Sequence, residues 1–297
     1  MIKYIISLFI IVFVASACQN NSENIDINAD DDSSITTIDN SAYNQKVKKM
    51  FHSIPAPMEM IHLIQSSGIE FNQDLLNDPK NESKYLSTSQ VALNMGIYGS
   101  DLSYCRILEQ VQESVNYLIT IQKISKKLHI PEDEGNNMLS SVEEHLDNRD
   151  SVIQIITKSY SNTDTYLKEN GQANVAALVL IGGWIEGMHI AFEAQHNATD
   201  TNMIRRRLAE QKLSFNNLMD LMSDFKDDST IVHFRSQFEA LKKEYDKITI
   251  NVNTNGVEID TANQITTIDA VSKVTFTNEN LEAIRKIISD IRTEIIQ

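Results

Sequence analysis

The sequence predicts an all-α protein, an antiparallel multi-helix bundle that carries a small β-hairpin around residues 248–260. Three observations lead there. Apolar residues recur at steps of three and four over much of the chain, the spacing that gathers them on one face of a helix. Proline is confined to Pro55, Pro57, Pro79 and Pro131, so nothing beyond residue 131 is interrupted by it. A single stretch alternates instead with the period of two that marks a strand.

The first element is a targeting segment. Lys3 is the only charge among the first 22 residues, and it precedes an apolar run that ends in Ala15, Ser16 and Ala17. A charged tip, an apolar run and a small-residue cleavage region are the parts of a signal peptide, expected here at residues 1–17. Tyr4 to Ala17 covers 14 residues, below the roughly 18 that a spanning helix needs. No comparable run is expected downstream, so the mature chain is expected not to cross a membrane. Ala15-Ser16-Ala17 fits cleavage for plain secretion. With Cys18 it also fits a bacterial lipobox, in which the cysteine takes acyl chains on its sulfur, although Ala15 stands where Leu is commoner. An exposed free thiol at a mature N-terminus would serve no evident purpose, so the lipobox reading explains Cys18 better. Several acyl chains on that residue would anchor stably.

Residues 18–42 read as a tether. From residue 19 on they hold Glu23, Asp26, Asp30, Asp31, Asp32 and Asp39 with no Lys, Arg or aromatic residue, too little apolar area to repay ordering. Their flexible reach is about 25–30 Å. Asp26-x-Asn28-x-Asp30 has calcium-loop spacing, but Asp31 and Thr37 stand where such a loop needs Gly and Glu. Residues 43–297 are left as a single helical domain.

Within that domain helices are expected near 57–67, 133–147, 149–169 and 174–196. Val91, Met95, Tyr98, Leu102 and Cys105 form one stripe, and Cys105 reads as a small buried hydrophobe on it. Val111, Val115, Leu118, Ile121, Ile124 and Leu128 form the next, ended by His129-Ile130-Pro131. Ile204, Leu208, Phe215, Leu218, Met222 and Phe225 read as one long stripe with Gln211 filling its gap. Ile231, Phe234, Phe238, Leu241 and Tyr245 follow, and Leu281, Ile284, Ile288, Ile291 and Ile295 close the chain after Thr277 as N-cap. Between these last two, Ile248, Ile250 and Val252 alternate up to Asn255-Gly256, a type I′ turn signal, and Val257 and Ile259 resume the alternation.

Charge narrows the function classes. The chain holds 26 Lys and Arg against 41 Asp and Glu, net −15, and removal of Lys3 with the targeting segment makes it −16. Such a protein is repelled by phosphate backbones and anionic lipid, so no nucleic-acid partner is expected. Arg205-Arg206-Arg207 reads as a solvated helix face. No nucleophile elbow, phosphate loop or His-Glu-x-x-His motif is present, and no cofactor is expected.

Glu186, His189, Glu193 and His196 step by three, four and three along one helix. Glu-x-x-His is the di-iron spacing of carboxylate bundles, but a second Glu-x-x-His is missing. Ala177, Ile181, Trp184, Ile185, Met188 and Phe192 define an apolar face elsewhere on that helix, so the Glu/His stripe reads as a solvated face, with a metal-handling or enzymatic bundle using Glu186, His189 and Glu193 as the alternative. Two small-residue stripes, Ala92-Gly96-Gly99-Ser103 and Gly183-Gly187-Ala191, are expected to meet, because glycine costs about 1 kcal/mol inside a helix unless close approach compensates. A pocket would then lie beside Tyr98, Asp101, Tyr104, Trp184 and Glu186.

The segments IPAPMEM (Ile54–Met60), ALNMGIYGSDLSY (Ala92–Tyr104) and IGGWIEGMHIA (Ile181–Ala191) resemble an uncharacterised family of helical lipoproteins of Bacteroidota. The resemblance runs from about Ile54 to the C-terminus. It implies a cell-envelope lipoprotein, with the outer membrane the better fit, and brings no catalytic residues. The expected function is thus a non-enzymatic binding or interaction module, held to the membrane through its N-terminal lipid, whose partner is a protein or a small apolar ligand.

Overall fold

The computed structural model describes residues 69–131, 141, 144, 145, 148–194, 201–260 and 265–297. The expected targeting segment and tether, Cys18, the expected helix near 57–67, most of that near 133–147 and His196 lie outside the described residues. The described chain is an all-α helical bundle with one small antiparallel ribbon.

Residues 69–86 come first, an extended strap with two short 3-10 turns, Gln73–Leu75 and Pro79–Lys84. Helix α1 (Thr88–Ile107) starts at a capping box, in which Ser87 Oγ accepts from the Gln90 N–H at 3.2 Å and the Gln90 side chain accepts from the Ser87 N–H at 3.2 Å. It ends where Glu109 turns left-handed, and α2 (Val111–Lys127) ends likewise at His129. Helix α3 (Arg149–Glu169) stops at Gly171, whose φ of +71° suits a residue without Cβ. Then follow α4 (Ala173–Ala194), α5 (Thr201–Glu210), α6 (Lys212–Met222) and α7 (Ser229–Asp246). Strands β1 (Thr249–Asp260) and β2 (Ile265–Thr275) lead into α8 (Asn278–Ile296), opened by the expected Thr277 cap.

Helices α1 and α4 form the centre, and both are buried nearly all round. A Cβ on Gly96 would sit 2.0 Å from the Val179 carbonyl oxygen and 2.5 Å from the Gly183 nitrogen, and one on Gly182 would sit 2.0 Å from the Leu93 oxygen. The glycines therefore let the two backbones touch, as expected of Gly96 and Gly183. Gly182 supplies the other half of the contact. Gly187 does not belong to it, being exposed with nothing within 4 Å of its Cβ position.

The expectation that no long apolar run follows the targeting segment fails at α4. Its 22 residues are long and apolar enough to cross a membrane, yet most of the helix is enclosed by protein. Its apolarity is that of a core helix with neighbours on every side.

The stripe from Ile204 to Phe225 is two helices. The chain breaks at Gln211, which is buried and whose side-chain oxygen accepts from Ser214 Oγ at 2.7 Å. A buried amide that spends its acceptor on the next turn satisfies itself locally, and the apolar stripe continues across the break. Beside it, Trp184, Phe215, Phe238 and Tyr245 pack in one cluster with centroids 5.0–6.1 Å apart. Cys105 is buried and free, as expected.

The hairpin is present but longer than expected. Its register runs from Thr249↔Thr275 to Asp260↔Ile265, and Asn255 is an extra residue between Thr254 and Gly256. Asn255-Gly256 is thus a bulge within β1 and not the turn. The extra residue shifts the alternation of β1 against β2 by one position at this point. Ile250 and Val274, at the base of the ribbon, pack against the core.

Candidate functional site

The strap, α1, α2, α4 and α8 converge on a polar cluster inside the bundle. Asp101 from α1 and Glu186 from α4 are both fully buried, with exposures of 0%. Arg292 of α8 reaches Glu186 with a two-pronged grip, Nε to Oε2 at 2.6 Å and Nη2 to Oε1 at 2.8 Å, and Nη2 also donates to the Leu75 carbonyl at 2.7 Å. A planar guanidinium matched to a carboxylate in this way is the strong form of an ion pair.

Asn77 is the hub on the strap. Its backbone N–H donates to Asp101 Oδ2 at 3.2 Å, and its side-chain amide donates to the Tyr85 hydroxyl at 3.0 Å and to Asn94 Oδ1 at 3.1 Å. Its side-chain oxygen accepts from Asn81 at 2.8 Å and its carbonyl from the Tyr117 hydroxyl at 3.1 Å. Asn94 in turn donates to the Ile295 carbonyl at 3.0 Å, at the end of α8. Tyrosines hold the remaining strap backbone: Tyr98 donates to the Asp78 carbonyl at 3.1 Å, and the Tyr104 hydroxyl accepts from the Asn72 N–H at 3.2 Å. An extended segment has no ladder of its own, so side chains supply the partners its backbone requires.

The charge of Glu186 acts on Asp101, so the two carboxyl groups are close neighbours. Burial, and next the Glu186 charge, push Asp101 well above the usual carboxyl range. Burial and then the Arg292 charge lower His189 below its ordinary value. Burial pushes the Tyr98 and Tyr117 hydroxyls and the Cys105 thiol far up.

Of the five residues expected to line a pocket, Tyr98, Asp101, Tyr104 and Glu186 do converge, and the chain's own strap occupies the space beside them. Trp184 does not join them. Two positions along a helix from Glu186, it faces the opposite way, where its Nε1 donates to Ser214 Oγ at 3.2 Å within the aromatic cluster.

The Glu/His stripe is not a solvated face. Glu186 is committed to Arg292, Glu193 pairs with Arg285 at 2.9 Å, and His189 hydrogen-bonds the Leu75 backbone. Among the described residues no three His, Cys, Asp or Glu side chains group as a metal would need. The charges required to bury this stripe lie a hundred residues away on α8, which is why spacing along α4 could not reveal them. Arg206 and Arg207 both pair with Glu210 on their own helix.

Sequence reasoning overlooked Asn77, Asn94 and Arg292. Asn94, a lone amide within an apolar stripe, carried a signal. Asn77 carried none.

Comparison with known proteins finds no matching family model, no matching curated protein and no matching solved structure. What the site does therefore has to be argued from its own geometry.

Proposed function

We propose that this chain is an envelope lipoprotein, joined to the membrane through acyl chains on Cys18, whose helical domain acts as a binding or interaction module. The observation that carries the anchoring is the junction Ala15-Ser16-Ala17-Cys18, placed after an apolar run too short to span a bilayer. The resemblance to helical lipoproteins of Bacteroidota supports the same reading and favours the outer membrane. The partner is a protein or a small apolar ligand, and no nucleic acid is involved, because the acidic chain repels phosphate.

The polar groups of the buried cluster support a non-enzymatic role over a metal-handling or catalytic one. Both oxygens of Glu186 are taken by Arg292, and Glu193 is engaged by Arg285. A metal or a substrate would have to displace an arginine from each carboxylate, and at Glu186 that leaves buried charge unpaired.

Fractionation of cells carrying Cys18→Ser tests the anchor. The wild type is expected in the membrane fraction with an acylated N-terminal cysteine by mass spectrometry, and the variant in the soluble fraction. Membrane association that survives the change, with an unacylated N-terminus, refutes it. Stoichiometric iron, zinc or manganese in the purified protein would overturn the non-enzymatic reading.

A further inference from the structure

We propose that the strap of residues 69–86 is a proton-gated latch, closed on the bundle while Asp101 carries a proton and donates it to Glu186.

The geometry requires a donor at this point. Asp101 is 0% exposed, and its Oδ2 accepts from the Asn77 N–H of the strap, whereas its Oδ1 has no hydrogen-bond partner among the described residues. Glu186 stands against it, with both oxygens already accepting from Arg292. Two carboxylates facing one guanidinium would leave one buried negative charge uncompensated. One proton shared between them removes that charge and turns the orphaned oxygen into a donor, so that acid, carboxylate and guanidinium are neutral as a set.

Two of these three residues hold the strap. Arg292 grips the Leu75 carbonyl and Asp101 takes the Asn77 N–H. Loss of the proton therefore acts on the contacts that keep the strap in place. Opening would hydrate the carboxylates and free the tyrosine hydroxyls now spent on strap backbone. In sequence the strap lies between Cys18 and the helices of the bundle.

The titratable and charged groups that interact with Asp101 come from every packed element: Cys105 and Tyr98 on α1, Tyr117 on α2, Glu186 on α4, Arg292 on α8 and Tyr85 on the strap, with His189 of α4 interacting with Glu186 and Arg292. Burial raises the tyrosines and the thiol and lowers His189, while Asp101 is held well above the usual carboxyl range.

The sign follows from linkage. Asp101 binds its proton more tightly when the latch is closed than when it is open. Closure is therefore fully favoured below the ordinary carboxyl range near 3.8 and weakens as pH rises, until the closed form itself ionises. Over that window the opening equilibrium grows about tenfold per pH unit.

The test uses the purified full-length protein in detergent, with amide exchange at residues 72–78 corrected for the intrinsic effect of pH. Infrared spectroscopy supplies the second readout, the carbonyl stretch of a protonated carboxylic acid. The wild type should keep that band at pH values above the ordinary carboxyl range near 3.8, with strap opening about tenfold faster per pH unit from there until the band is lost. Asp101→Asn, whose amide can still donate to Glu186 and accept from Asn77, should lose both the band and the slope while the strap stays closed. Should that variant fail to fold, Glu186→Gln serves: Asp101 then ionises against Arg292, and band and slope again disappear. A wild type without the band, or a slope unchanged in the variant that folds, overturns the proposal.

Discussion

Adding one methyl group at Gly182 should do more damage than most larger changes elsewhere in this protein. A Cβ there meets the Leu93 carbonyl oxygen at 2.0 Å and the Leu93 carbonyl carbon at 2.8 Å, against the 3.4 Å at which ordinary contact begins. Both obstacles are backbone, so no rotamer change relieves them, and α1 and α4 must separate by about 1.4 Å, the difference between 3.4 and 2.0 Å. A gap of that size forfeits more than about half of the dispersion energy wherever the two helices touch. Overpacking of this kind costs about 1–3 kcal/mol and more when backbone must move, while alanine returns at most about 1 kcal/mol of helix propensity. A net loss of about 2–4 kcal/mol is expected for Gly182→Ala. Gly187→Ala, five residues along the same helix and facing open space, should instead stabilise by about 0.5–1 kcal/mol. The assay is urea denaturation followed by the fluorescence of Trp184, the sole tryptophan, which is 5% exposed in the native fold. Equal effects at the two positions, or a Gly182→Ala midpoint at or above the wild type, would refute the argument that backbone contact between α1 and α4 sets the need for glycine.

Two further outcomes follow from other contacts. Arg292→Leu leaves Glu186 buried without its partner and should destabilise by about 3–5 kcal/mol, whereas the double change Glu186→Leu with Arg292→Leu should recover much of the loss; a single variant within about 1 kcal/mol of wild type by the same denaturation would contradict the buried pair. His129→Gly removes a Cβ from a left-handed residue with φ of 57° and should raise stability by about 0.5–1 kcal/mol, so a lower thermal midpoint would count against the strain assigned there.

Much of the fold was legible because helix stripes are local. Val91 to Cys105 and Leu281 to Ile295 lie on helices through the arithmetic of 3.6 residues per turn, and Thr277 caps its helix through atoms three residues away. The hairpin was legible as alternation, but its turn was not. Asn255-Gly256 is compatible with a turn or a bulge, and the choice falls to β2, whose register no local pattern specifies.

The candidate site divides in the same way. Sequence alone placed Glu186, His189 and Glu193 on one side of a helix, and placed Tyr98 and Asp101 on another helix with glycines that would let it come close. It could not decide whether that polar side faced water. Burial of a carboxylate depends on whether a partner charge arrives, and Arg292 arrives from 106 positions away. The strap is the extreme case. Its 3-10 turns and extended backbone have little order of their own, and Asn77 becomes a hub only because tyrosines, Asn94 and Asp101 from other helices surround it. Local periodicity determined which residues could be helical and which faces were apolar. Only the tertiary structure decided which polar residues were worth burying, because that depends on charges and hydrogen-bond partners brought together from distant parts of the chain.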